Sequence, residues 1–120
     1  MTSPKATGIT RILRAFGYSY EGLKSAYRSE AAFRQELVLL LIGIPAAFMV
    51  SDSPLARAMM VGSLLLIVLV EIINTAIEAT IERISSEIHP LSKTVKDLGS
   101  AAVMLSFVHA IAVWGILLLG

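Results

Sequence analysis

Between Leu98 and Leu119 the chain runs for about 22 residues without an Asp, Glu, Lys or Arg. At about 1.5 Å per residue, a helix of that length reaches about 33 Å, enough to cross the hydrocarbon core of a bilayer. Inside hydrocarbon each backbone N–H and C=O must find its partner within the segment, so the run specifies an α-helix. Two further apolar runs, about Ala31 to Val50 and about Leu55 to Ile84, carry polar residues at one end. The first has about 14 unbroken apolar residues, Leu37 to Val50, and spans if Arg34, Gln35 and Glu36 lie at or just inside the interface. In the second, about 20 residues counted from Leu55 end at Asn74. Glu71 then lies near the far boundary, and Glu78 lies about 10 Å further along the axis, beyond the core.

With 56% apolar and 16% charged residues, the 120-residue chain is too oily for a soluble domain. It reads as one all-α membrane domain with an N-terminal surface helix over about 7–28 and membrane helices over about 31–50, 55–84 and 93–119. Met1 to Arg28 is polar and mixed, unlike a cleavable signal. There is no cysteine, hence no disulfide framework, thiol nucleophile or thiolate metal site. A net charge of +1 gives no argument for a nucleic-acid partner. Nine of the ten basic residues, all but Arg57, fall on one side of the spans, which the positive-inside rule makes cytoplasmic. The N-terminus is then cytoplasmic and the C-terminus external. Arg34-Gln35-Glu36, Glu71 to Glu78 and Lys96-Asp97 come to one depth near that cytoplasmic boundary.

Ahead of the first span, Ile9, Ile12, Leu13, Phe16, Tyr20, Leu23 and Tyr27 recur at helical spacing, with Arg11, Arg14, Glu21, Lys24, Ser25 and Arg28 on other faces. Such a basic amphipathic helix lies in the interface plane, and Gly17 and Gly22 are expected to bend or loosen it. Ser51 to Pro54 makes an outer turn, and Ser86 to Ser92, with Pro90, is expected to form the cytoplasmic connection.

The central segment Glu71-Ile-Ile-Asn74-Thr-Ala-Ile-Glu78 carries the chemistry. At 100° per residue Glu71, Asn74, Glu78 and Glu82 fall within about 80° of one another, on one face. Carboxylates so close to hydrocarbon cost about 2.5–3.5 kcal/mol each, so they need a purpose. One purpose is helix association through pairs with Arg34, Arg83 or Lys96. That suffices for Glu82, but one bridging pair would need one carboxylate, not both Glu71 and Glu78. The other purpose is phosphate chemistry, because Glu71, Glu78 and Glu30 with nearby Lys and Arg suit a divalent cation carrying nucleotide phosphates. No Gly-x-x-x-x-Gly-Lys-Ser/Thr or protein-kinase glycine loop is present, so a nucleotide site here is of an unusual kind.

This central segment resembles the signature of the small bacterial integral-membrane diacylglycerol kinases. Thr7-Gly-Ile-Thr-Arg-Ile, Gly17-Tyr-Ser, Gly22-Leu, Glu30-Ala-Ala-Phe-Arg-Gln-Glu36, Glu87-Ile-His89, Lys96-Asp97 and Gly99-Ser-Ala-Ala102 resemble family segments in order and spacing. The resemblance implies a surface helix and three transmembrane helices per chain, a homotrimer in the bacterial inner membrane, and phosphorylation of diacylglycerol with Mg²⁺ and ATP. By position it implies Glu71 as general base, Asn74 orienting groups beside it, and Glu30 and Glu78 as metal ligands. It likewise implies nucleotide contacts at Arg11, Tyr18, Glu30, Glu78, Glu87, Ile88, His89, Lys96 and Asp97. Lipid contacts near the chemistry match Arg11, then Ala15, Phe16, Gly17, Tyr18, Ser19 and Tyr20, then Lys24, Ser25, Ala26 and Tyr27. They continue through Ala32, Phe33, Arg34, Gln35 and Glu36 to Glu71 and Ser100, with Met49, Val50, Ser51, Asp52, Arg57 and Trp114 towards the outer end.

Two positions depart from the pattern: Glu82 stands where the signature normally ends in Asp, and Ile81 where Val or Met is usual. His109 is a third, inside the last span and about 18 Å along the helix from Lys96-Asp97, and it reads as a hydrogen-bonded packing histidine. A sister branch phosphorylates undecaprenol, and the match over Thr7 to Tyr27 favours the diacylglycerol branch. Outside the family stand a small proton-coupled multidrug-type transporter, which needs a mid-membrane carboxylate, and a purely structural membrane subunit.

Overall fold

The computed structural model describes residues 7–84 and 89–120. Among them are four helices, α1 Gly8–Ser29, α2 Ala31–Val50, α3 Pro54–Ile84 and α4 Pro90–Leu119. Three of these, α2, α3 and α4, are long and apolar enough to cross a membrane. Their apolar outer faces, with Leu41 75%, Leu55 72% and Ile111 72% exposed, are what a lipid solvent requires.

α3 is the central element, with α2 and α4 each packed along it. One cluster joins Ala26 of α1 and Phe33 of α2 to Val68 of α3, supported by Leu37, Leu40 and Ile72. Another joins Leu64 and Ile67 of α3 to Ala110 of α4, with Leu39, Leu40, Ile44 and Trp114 around it. Between apolar helices in lipid there is little hydrophobic drive to associate, so close approach at small residues and shared polar atoms matter more. Gly43 supplies the first: a Cβ there would come within 2.5 Å of Leu64 Cδ1, so its absence lets α2 settle on α3. Trp114 supplies the second, its indole N–H lying 3.2 Å from Ser63 Oγ and 3.3 Å from the Met60 carbonyl. Trp114→Phe keeps the ring and removes the donor, so it is expected to cost about 0.6–1.7 kcal/mol, read as a lower melting midpoint of the extracted protein.

The molecule extends 47 × 43 × 21 Å. α1 joins the spanning helices through Ala26 near its C-terminal end and is otherwise an exposed arm. Its apolar stripe, with Ile9 73% and Phe16 69% exposed, lies open along that arm. The joint to α2 is short. Glu30 has extended backbone between the two helices, and Arg34 Nη1 donates to the Tyr27 carbonyl at 2.6 Å and the Arg28 carbonyl at 3.4 Å. Arg34 thereby caps α1, supplying a cation to carbonyls that have no partner further along the helix. At the other end Arg57 does the same for α2, through Ser51 O at 2.6 Å and Phe48 O at 3.0 Å, with Asp52 3.7 Å away.

Three expectations need correction. α1 runs unbroken through Gly17 and Gly22: both are exposed with no neighbour at the Cβ direction, and helical flanks carry them at modest cost. Pro90, Leu91 and Ser92 are not connection but the first turn of α4. Proline at the first helical position lacks an N–H that would have had no partner there, and His89 Nδ1 accepts from the Leu91 N–H at 3.0 Å as the cap. His109 lies exposed on α4, and no hydrogen bond to it is found among the described residues.

Candidate functional site

Because α2 begins, α3 ends and α4 begins at the same end of the layer, polar residues from all three converge there. The deepest pair is Glu36 of α2 and Glu71 of α3, each 5% exposed, whose carboxyl groups face one another within hydrogen-bonding reach. Thr75, one turn along α3, donates its hydroxyl to Glu71 Oε2 at 3.3 Å. Glu36 Oε1 is buried and has no hydrogen-bond partner among the described residues. An acceptor in that condition costs about 1–3 kcal/mol unless a donor arrives.

These carboxyls form part of the wall of a cleft of about 390 Å³ lined by Ala32, Gln35, Glu36, Leu39, Glu71, Val103 and Phe107. That volume lies at the low end for small-molecule sites. With three polar and four apolar lining residues, the cleft suits a hydroxyl-bearing head whose remainder is hydrocarbon. Leu39, Val103 and Phe107 were not legible as site residues. The signal is weak, a four-residue repeat from Gly99 through Val103 to Phe107 that keeps one face of α4 towards α3.

About 10 Å further along α3 lies Glu78, which shares its electrostatic surroundings with Glu30, Glu71, Glu82 and Lys96. Glu30 arrives from the α1–α2 joint and Lys96 from the first turns of α4, so three elements bring charged side chains towards Glu78. Asp97 accepts from Lys93 Nζ at 2.7 Å, which leaves Lys96 as the basic side chain near Glu78. Asn74, between Glu71 and Glu78, presses its side chain against Gly99 of α4. Arg34 is committed to α1 carbonyls, and Glu71, Glu78 and Glu82 form no ion pair among the described residues.

Among the described residues no three His, Asp or Glu side chains form a ready-made metal cage. Two carboxylates from different elements, Glu30 and Glu78, nonetheless fit the hard oxygen donors Mg²⁺ uses when phosphates complete its shell.

Other expected contacts separate. Tyr20, Lys24 and Tyr27 join Leu23, Arg28, Phe33 and Leu37 around an open groove at the α1–α2 joint. Ala26 is buried beneath it, while Ser25, Ala15, Phe16, Gly17, Tyr18 and Ser19 lie exposed along α1. Along the helix Arg11 is about 28 Å and Tyr18 about 18 Å from Glu30, so the chain does not bring them to Glu71. Met49, Val50, Ser51, Asp52, Arg57 and Trp114 stand at the opposite end of the layer. Ser100 is exposed beside Gly99, and Glu87 and Ile88 lie outside the described residues.

Residues 17–118 match the family model for prokaryotic diacylglycerol kinase. The chain belongs to that family. It is 46% identical over 112 residues to the diacylglycerol kinase of Escherichia coli strain K12, covering 93% of this chain and 92% of that one. Against the diacylglycerol kinase of Pseudomonas aeruginosa it is 48% identical over 114 residues, 95% of this chain and 93% of the relative. The Haemophilus influenzae diacylglycerol kinase is 40% identical over 111 residues. Membership removes the transporter and the purely structural subunit, and makes this membrane protein a lipid kinase.

Proposed function

We propose that the chain transfers the γ-phosphoryl group of ATP to the primary hydroxyl of diacylglycerol, producing phosphatidic acid at the cytoplasmic face of the bacterial inner membrane. The observation that carries this reading is the buried Glu36–Glu71 pair, with an acceptor that has no donor among the described residues, in the wall of a cleft otherwise lined mostly by apolar residues. Diacylglycerol brings the hydroxyl donor and the hydrocarbon that such a cleft needs. Glu71 accepts the hydroxyl proton as that oxygen attacks the γ-phosphorus and ADP departs. Glu36 holds the hydroxyl in line beside it, and Thr75 steadies the Glu71 carboxylate. Glu30 and Glu78 hold Mg²⁺, whose contribution is to offset charge on the phosphates, and Lys96 adds to that charge balance.

Nine of ten basic residues on the α1 side support a cytoplasmic N-terminus and an external C-terminus. ATP then meets Glu78 and Lys96 from the cytoplasm while the lipid enters the cleft from the bilayer. Arg11 and Tyr18 lie too far along α1 to serve their own chain, which supports a homotrimer in which each α1 reaches a neighbouring site.

The test is phosphate transfer from labelled ATP with Mg²⁺ to dioleoylglycerol and to undecaprenol in parallel mixed micelles. Label is expected in the phosphatidic acid product, with at most a small fraction in undecaprenyl phosphate. Label confined to undecaprenol would move the chain to the sister branch, and none in either lipid would sink the proposal.

A further inference from the structure

Gly99 is buried on α4, and its missing side chain is occupied from across the interface. A Cβ built there would overlap Asn74 Oδ1 and come within 3.0 Å of Asn74 Cγ, while Nδ2 lies 3.8 Å away. Asn74 Oδ1 is itself buried and receives no N–H or O–H among the described residues. What faces it is the Gly99 Cα–H that takes the place of the Cβ, a weak donor that suits oxygen and not the amide NH₂. The oxygen is thus held by α4, and the two N–H donors of Asn74 are turned away from it.

The place of this contact is informative. Asn74 shares the face of α3 that carries Glu71 and Glu78, and Gly99 follows Lys96 and Asp97 by less than one turn of α4. We propose that Gly99 is a positioning residue for the phosphoryl transfer described above, acting through Asn74: its bare Cα fixes the plane of the Asn74 amide, so that the N–H donors point at the transferring phosphoryl group. Any side chain at position 99 rotates that amide or drives α3 from α4 at the level where base and phosphates must align. A misplacement of about 1 Å is enough to cost about 10²-fold in a reaction that depends on alignment. The inference rests on the lipid-kinase reading, which the parent protein tests separately by whether it labels diacylglycerol at all.

The experiment is a double-mutant cycle on the full chain in mixed micelles, with Gly99→Ala, Asn74→Ala and the pair. Gly99→Ala is expected to lower kcat by at least about tenfold, with KM for ATP and for diacylglycerol within about twofold of the parent. In the Asn74→Ala background, itself impaired in kcat, the same change is expected to cost no more than about twofold further. The melting midpoint follows the same cycle: Gly99→Ala lowers it, and removing the Asn74 side chain restores it, whether or not transfer is measured. A Gly99→Ala protein with the parent's kcat overturns the proposal, as does Asn74→Ala with full activity. A Gly99→Ala loss that recurs in full on top of Asn74→Ala also overturns it. If Gly99→Ala alone does not fold, the paired variant decides: recovery of a folded protein with the Asn74→Ala kcat supports the proposal, and continued failure to fold refutes it.

Discussion

Glu71→Gln is expected to reduce kcat by about 10²- to 10⁴-fold, the range that loss of a positioned general base produces. The amide has the size of the carboxylate and cannot take the hydroxyl proton. It can, however, donate to Glu36, whose Oε1 has no partner among the described residues and whose carboxyl otherwise faces a second carboxyl, each residue being 5% exposed. The folded protein should therefore melt at the same temperature as the parent or higher, because the buried Glu36 oxygen gains an N–H donor. Loss of turnover with retained or raised stability distinguishes a catalytic carboxylate from a structural one. A variant within about tenfold of the parent's kcat would remove Glu71 from the role of base.

Substitutions at Glu78 and Glu30 should fail in a different way. Each is expected to weaken apparent Mg²⁺ affinity by at least about 10- to 100-fold, the cost of losing even an outer partner of a metal site. A titration of transfer rate against Mg²⁺ at saturating ATP reads this directly. In Glu78→Gln and Glu30→Gln the half-saturating Mg²⁺ rises, and excess metal recovers part of the rate. In Glu71→Gln the half-saturating Mg²⁺ stays where the parent has it, because that change removes a proton acceptor and not a ligand. If Glu78→Gln kept the parent's Mg²⁺ dependence, the two carboxylates near Lys96 would need another explanation.

Much of the architecture was legible because hydrocarbon leaves a chain few options. An apolar run of sufficient length must close its own hydrogen bonds, so three spans followed from composition, and the amphipathic spacing of Ile9 to Tyr27 gave the surface helix. Helical periodicity also placed Glu71, Asn74 and Glu78 on one face before any contact was known. Periodicity fails at the ends of elements and at isolated residues. Pro90 read as part of a connection but starts α4, since proline is as much a helix initiator as a breaker. His109 read as packed because polar groups in a membrane seek the interior of a bundle, yet it faces out of the single chain.

The reach of sequence ends where one helix is set against another. Residue spacing determined which side chains share a face of α3, and the apolar runs determined that α2, α3 and α4 would carry their polar ends to one depth. Nothing in the spacing states how far each helix is rotated about its own axis when it packs. That rotation decided that Glu36 meets Glu71, that Val103 and Phe107 wall the cleft, and that Trp114 donates towards Ser63. It also decided that Gly99 lies beneath Asn74. The physical reason is that intrahelical geometry is set by local backbone hydrogen bonds, whereas interhelical geometry is a balance of close contacts at Gly43 and Gly99 that comes into being when the helices pack.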